Sequence, residues 1–281
     1  MKLIECPRDA MQGVATFIDT TQKVQYLNKL LQVGFDTLDF GSFVSPTAIP
    51  QLRDTADVLA QLDLSSTQTK LLAIVANLRG AQQAAAFQEI SYLGFPLSVS
   101  ETFQLKNTNK TIAEAFGELA QMQEICQQTN KTLVVYLSMA FGNPYGEPYS
   151  PEIVEDFTEK LTTMGVSIIA PSDTIGSSST DDIKALFGAL VPRFPNVEFG
   201  AHLHAKPSHV AKKVKAAYKS GVRRIDCALR GFGGCPLAED KLVGNLATEL
   251  VVGELRQLKV KLEIDDLKLA QAMLQSQYVF G

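Results

Sequence analysis

The chain has 281 residues, 46% of them hydrophobic and 20% charged, with a formal net charge of −4. That length and apolar fraction suit one large domain or two small ones. The acidic balance argues against a nucleic-acid binder, which needs a basic face to neutralise phosphates, and no apolar run approaches the roughly 20 residues that span a bilayer. The four cysteines, Cys6, Cys126, Cys227 and Cys235, contain no C-x-x-C pair. No signal-peptide pattern opens the chain, so reduced thiols and a cytoplasmic location are expected.

Strand-like and helix-like segments alternate along the whole chain. Lys2–Glu5 reads as the first strand, a helical pattern covers Thr21–Val33, and Phe35–Phe40 reads as the second strand. Lys70–Ala76 and Glu89–Val99 follow as apolar, β-rich runs. A helical segment at Thr111–Thr129 precedes the strand Thr132–Ser138, and Pro151–Met164 precedes Val166–Pro171. Asp181–Val191 then leads to Val197–His202, and Ser208–Ser220 to Arg223–Leu229. Gly34, Gly165 and Gly221 stand where helices stop, and Pro151 stands where a first-turn proline is tolerated. About eight β–α units in this length predict an α/β fold of the TIM (β/α)8 barrel type. An open doubly wound sheet would alternate too, but no G-x-G-x-x-G follows the first strand and no P-loop occurs. No composition break marks a second domain, so residues 1–281 are expected to form one. The part from about 262 to 281 is expected as a C-terminal helical extension that caps the barrel or packs on a partner subunit.

On such a barrel, chemistry-bearing residues gather at one rim. Arg8 and Asp9 end strand one and Asp39 ends strand two. Asp173 follows strand six, and His202 and His204 end strand seven. The glycine-rich Gly231–Pro236, with Cys235, and then Asn245 follow strand eight. All would face the C-terminal end, where barrel active sites are built. Alternate strand residues face the same side, so an extended Ala201–His204 brings both imidazoles to one point. Carboxylate, two imidazoles and an amide together can hold one divalent cation. Plainer roles stand beside these. Arg8 and Asp9 can form a strand-end ion pair, Asp39 can tie down Arg8, and Asp173 or Asn245 can cap a helix. Cys235 can be an inert small hydrophobe. The basic run Lys206, Lys212, Lys213 and Lys215 reads as a solvated helix face.

The motifs, taken in order, resemble the hydroxymethylglutaryl-CoA lyase family of metal-dependent Claisen-type enzymes. They are Pro7-Arg8-Asp9-x-x-Gln12, Ser42-Phe43-Val44-Ser45-Pro46, Ser100-Glu101-x-Phe103, Asn143-Pro144-Tyr145-Gly146, Ser172-Asp173-Thr174-Ile175-Gly176, His202-x-His204, Gly231-x-Gly233-Gly234-Cys235-Pro236 and Gly244–Glu249. The resemblance implies cleavage of an acyl-CoA substrate, 3-hydroxy-3-methylglutaryl-CoA, to acetyl-CoA and acetoacetate, a reaction of leucine and ketone-body metabolism. It implies Asp9, His202, His204 and Asn245 as ligands of the cation. Oxygen and imidazole donors with open positions suit Mg²⁺ or Mn²⁺. It further implies Arg8 as stabiliser of oxyanion charge, Asp173 and His202 as proton carriers, Asp39 as a carboxylate at the site, and Cys235 as the residue that helps protonate the product enolate. A homodimer or higher homo-oligomer is expected.

This chain also departs from the family pattern. Ala205 stands where an Asp usually follows the second histidine, which removes an anion beside the imidazoles. Val134 stands where an Arg often precedes the strand-five Tyr136, and Lys106 or Arg230 are the nearest basic residues by motif position to cover for it. These departures leave a related aldolase or Claisen enzyme for another 2-oxo or 3-hydroxy acid as an alternative, and a non-catalytic metabolite-binding barrel as a third reading.

Overall fold

Eight parallel strands close into a ring in the computed structural model, which describes residues 1–234 and 243–280. The order is β1 (Lys2–Glu5), α1 (Pro7–Gln12), α2 (Thr20–Leu30), β2 (Thr37–Ser42), α3 (Thr55–Leu59), β3 (Lys70–Ile74), α4 (Leu78–Ala85), β4 (Ile90–Ser98), α5 (Glu101–Thr108), α6 (Ile112–Gln128), β5 (Thr132–Ser138), α7 (Pro151–Thr163), β6 (Ile168–Asp173), α8 (Thr180–Arg193), β7 (Glu198–Leu203), α9 (Pro207–Lys219), β8 (Arg224–Cys227), α10 (Thr248–Gln257) and α11 (Asp266–Phe280). Each strand pairs with the next, and β8 returns to β1 in the register Lys2↔Arg224 to Glu5↔Cys227. The expected TIM barrel with a C-terminal helix is the observed fold. No described helix is long and apolar enough to cross a membrane.

Alternation along the strands builds two cores. Leu133, Val135 and Leu137 of β5 join the layer between strands and helices. Val134 and Tyr136, one residue out of phase, point inside the ring with Leu72, Ile74, Tyr92, Ile168 and Ala170. A fully buried aliphatic or aromatic side chain contributes about 1.5–3 kcal/mol, so this period-two pattern is what drives closure. The interior leaves no spare room at Gly94, where a Cβ would stand 2.6 Å from Ile74 Cδ1.

Two expected strand limits move for identifiable reasons. Helix α1 begins directly at Pro7, whose fixed φ suits the first helical position. Arg8 and Asp9 therefore lie on a short helix after β1 rather than on the strand end. β2 runs on through Gly41 to Ser42, because the missing Cβ admits Thr55, whose Cγ2 would lie 2.5 Å from it. Asp39 is consequently inside β2 and not at its end. α11 packs its Phe280 ring edge-on against Tyr26 of α2 at 5.8 Å.

Candidate active site

Four elements bring the candidate ligands together at the C-terminal rim. Asp9 comes from the first turn of α1, His202 from β7, His204 from the residue after β7, and Asn245 from the segment before α10. Ligand atoms of Asp9, His202 and His204 all lie within 4.8 Å of one another. The two imidazoles meet edge to face with centroids 5.3 Å apart. His204 stays extended beyond β7 by forming an antiparallel bridge with Asn245. Asn245 does not cap α10, which starts after Ala247. Its Nδ2 instead donates to Asp9 Oδ2 at 2.6 Å and to the Phe232 carbonyl at 2.9 Å.

Hydrogen bonds set the imidazole orientation. His204 Nδ1 donates to the Thr174 carbonyl at 3.1 Å, which leaves its Nε2 a lone pair. That buried Nε2 has no hydrogen-bond partner among the described residues. Burial, with His202 adjacent, lowers the His204 pKa to about 4 and keeps the ring neutral. His202 Nδ1 donates to Asp226 Oδ2 at 3.0 Å. Burial pulls the His202 pKa down, but Asp226 more than offsets this and the net shift is upward. Burial opposes ionisation of Asp9 as well, yet Arg8 and the two histidines hold its pKa at about 2. An anionic oxygen beside two imidazole lone pairs is a donor set that a hard divalent cation fits.

Arg8 is spread across the floor of the site. Its Nε and Nη2 reach the Asp39 carboxylate at 3.0 and 2.6 Å, and its Nη1 reaches Asp9 Oδ1 at 3.0 Å and Gln12 Oε1 at 2.9 Å. Asp39 is fully buried, and burial raises its pKa to about 6 although Arg8 works against this. Its contact is the fork-to-fork grip on Arg8.

Asp173, the last residue of β6, is 1% exposed. It accepts from Lys213 Nζ at 2.6 Å and from the Ser178 hydroxyl at 2.5 Å. The cap of α8 is Ser179, not Asp173. Lys213 also donates to the His204 carbonyl at 2.8 Å, so this lysine is buried and is not part of a solvated face. Cys235 lies outside the described residues.

Two residues that sequence reasoning missed complete the picture. Asp226, from β8, is the anion that orients His202. Arg224, two residues earlier on the same strand, is 0% exposed inside the ring. Its guanidinium stands 5.3 Å from the Tyr92 ring and 3.5 Å from Glu198 Oε1. Arg224, rather than Lys106 or Arg230, is the basic residue that shares the interior with Tyr136. Lys106 lies over the Tyr145 ring at 4.4 Å, and Arg230 stands in the turn after β8. The signal was present in Arg224-Ile225-Asp226, an alternation that turns two charges inward.

Beside Asn245 opens a cavity of about 250 Å³, lined by Ala205, Lys206, Pro207, Arg230 and Val243 among others.

A closed (β/α)8 ring with this rim defines a TIM-barrel enzyme carrying a candidate cation site. Residues 3–274 match the family described as HMGL-like. The chain is 34% identical over 266 residues to hydroxymethylglutaryl-CoA lyase of Bacillus subtilis (strain 168), covering 95% of this chain and 88% of that one. Its fold is similar to an HMG-CoA lyase from Acinetobacter baumannii in complex with coenzyme A and 3-methylmalate, with a TM-score of 0.92, 29% identity and coverage of 100% and 91%. The Bacillus subtilis HMG-CoA lyase structure gives a TM-score of 0.92 at 32% identity, covering 99% and 92%. The chain therefore belongs to the HMGL-like family and is a carbon–carbon lyase.

Proposed function

We propose that the chain cleaves 3-hydroxy-3-methylglutaryl-CoA to acetyl-CoA and acetoacetate, with Asp9, His202, His204 and Asn245 holding Mg²⁺ or Mn²⁺. The observation that carries the cation is the buried Nε2 of His204, without a hydrogen-bond partner among the described residues, beside Asp9 and His202. The substrate rests on the relatives' names and on the coenzyme A and 3-methylmalate bound by one of them. When bound, the cation supplies Lewis-acid polarisation and a template for substrate oxygens.

The chain's own residues then divide the work. The tertiary hydroxyl gives up its proton, the bond between the hydroxyl-bearing carbon and the thioester α-carbon breaks, and the hydroxyl carbon becomes the ketone of acetoacetate. The electron pair passes to the thioester fragment as an enolate, which takes a proton to give acetyl-CoA. Arg8, permanently charged, faces the developing oxyanion, and Asp39 fixes its plane. His202 is the proton carrier we favour: Asp226 keeps its Nδ1 proton in place, so the hydroxyl proton goes to Nε2, which must be off the cation for that step. Asp173 is bonded to Lys213 and Ser178, and its part is to hold the rim that carries His204. Cys235 is assigned protonation of the enolate on the family resemblance alone. The cavity beside Asn245, with Lys206 and Arg230 on its wall, suits the anionic arm of an acyl-CoA. We further infer a cytoplasmic enzyme that works as a homodimer or higher homo-oligomer. Leu267, Leu274 and Tyr278 of α11, 68%, 60% and 76% exposed, support an association face.

The test is steady-state cleavage of 3-hydroxy-3-methylglutaryl-CoA with saturating Mg²⁺ or Mn²⁺, followed by acetyl-CoA release. The expected kcat/KM exceeds about 10⁴ M⁻¹s⁻¹, the low end for ordinary enzymes. A much lower value with the cation still bound would point to another 3-hydroxy or 2-oxo acid.

A further inference from the structure

Asn245 reaches the rim from a segment outside any helix or strand longer than a single bridge. Its neighbours must therefore orient its amide. Nδ2 donates to Asp9 and to the Phe232 carbonyl, so Oδ1 is the atom left to face a cation. The second bond depends on where the Phe232 backbone stands. Arg230, Gly231, Gly233 and Gly234 around it all have positive φ, at 60, 71, 90 and 126°. No repeating backbone ladder holds such a stretch. One tight turn closes it, with Gly231 N donating to the Ala228 carbonyl at 2.9 Å and Phe232 N to the Leu229 carbonyl at 3.3 Å, and beyond that turn side chains hold it.

Those side chains belong to the C-terminal helix. The Phe232 ring stacks on Phe280 with centroids 4.6 Å apart and planes 29° from parallel. Phe280 in turn packs edge-on against Tyr26, which is 1% exposed and anchored in the core. Arg230 faces Gln277 of the same helix at 2.8 and 3.2 Å, with the amide oxygen turned toward the guanidinium.

We propose that α11 is a positioning element for the cation site: Phe280 holds Phe232, and the Phe232 carbonyl aims the Asn245 amide. This rests on the reading of Asn245 as a ligand. Groups that orient a ligand without touching the metal characteristically change affinity 10–100-fold, and a two-ring relay belongs at the lower end.

The experiment is calorimetric titration of the full chain with Mn²⁺ alone, comparing Phe280→Ala, Phe280→Tyr, Asn245→Ala and the double variant Phe280→Ala/Asn245→Ala, with thermal midpoints recorded in parallel. Phe280→Ala is expected to raise the Kd about tenfold, and Phe280→Tyr, which keeps the ring, to restore it. The double variant should be no weaker than Asn245→Ala, because both changes disable one ligand. A lowered thermal midpoint with an unchanged Kd would mean that Phe280 only stabilises the fold, and the proposal fails. Wild-type affinity in Phe280→Ala beside weakened binding in Asn245→Ala overturns the role of α11 and leaves the ligand assignment standing. Wild-type affinity in Asn245→Ala overturns the ligand assignment itself. Should Phe280→Ala not fold, Phe232→Ala is titrated in its place and judged by the same results.

Discussion

Asp226 shows how one side chain on a neighbouring strand decides what a ligand can do. A histidine offers a lone pair at Nε2 only while Nδ1 carries the proton, and the carboxylate 3.0 Å away enforces that tautomer. Asp226→Asn should retain the fold, yet lower Mn²⁺ affinity about 10–100-fold, because an amide can present its NH₂ to Nδ1 and invert the tautomer. Calorimetry measures this directly, and unchanged affinity would show that His202 is oriented by something else. The proposed ligands were legible as candidates in the sequence, since His202 and His204 stand at the strand period and Asp9 and Asn245 follow strand ends. Asp226 was legible only as an inward-facing charge: the alternation Arg224-Ile225-Asp226 turns it into the ring, and nothing in spacing alone reveals which imidazole it meets. The missing strand-five arginine was likewise legible only as a gap. Val134 fills the interior beside Ile168, and Arg224 brings the positive charge from the other side of the ring.

Helix α9 carries the same lesson at the scale of an element. A run of lysines suggests a wet surface, and Lys206, Lys212 and Lys215 are indeed exposed. Lys213 shares its stripe with Val210, Val214 and Ala217, spaced i, i+3, i+4 and i+7, which is the buried face of a helix. The helical phase, not the charge count, held the information. Lys213 ties α9 to the ends of β6 and β7 through Asp173, the Gly176 carbonyl and the His204 carbonyl. Removing one partner of a buried pair leaves an uncompensated charge, so Lys213→Met should cost roughly 3–5 kcal/mol. Lys213→Met/Asp173→Leu should recover much of that loss, since apolar replacement of a buried pair is often close to neutral. Urea unfolding of the two variants checks both statements. The alternation of strands and helices, by contrast, was readable, because strands such as β3 and β5 form apolar runs between helical patterns.

At the scale of the whole molecule, one buried acid makes stability depend on pH. Glu5 is 0% exposed and accepts from Leu229 N at 2.8 Å and Thr248 Oγ1 at 2.6 Å. Burial pushes its pKa up to about 8 in spite of those bonds. The folded protein thus keeps a proton that the unfolded chain releases near pH 4.5. Stability contributed by this group is complete below that pH, falls as pH rises toward 8, and is level above it. Glu5→Gln keeps an acceptor for Leu229 and cannot ionise. Its unfolding free energy should lose that slope and exceed the wild-type value at pH 8.5 by an amount on the order of a few kcal/mol. The same difference in unfolding free energy between Glu5→Gln and wild type at pH 5 and at pH 8.5, from urea titrations, would show that Glu5 ionises normally.

The pairing of β8 with β1 has a consequence for how the enzyme comes into being. Asp9 leaves the ribosome well before the two histidines and Asn245, which emerge only after most of the barrel has been made. Until Lys2 finds Arg223 and Cys6 finds Cys227, the first strand has no partner on one side, and Asp9 is far from the groups it must meet. Cation binding by a nascent or truncated chain would therefore report that the ring has shut. A chain that stops before β8 should hold its early strands yet take up no cation at this rim, so premature products would be inert rather than partly active.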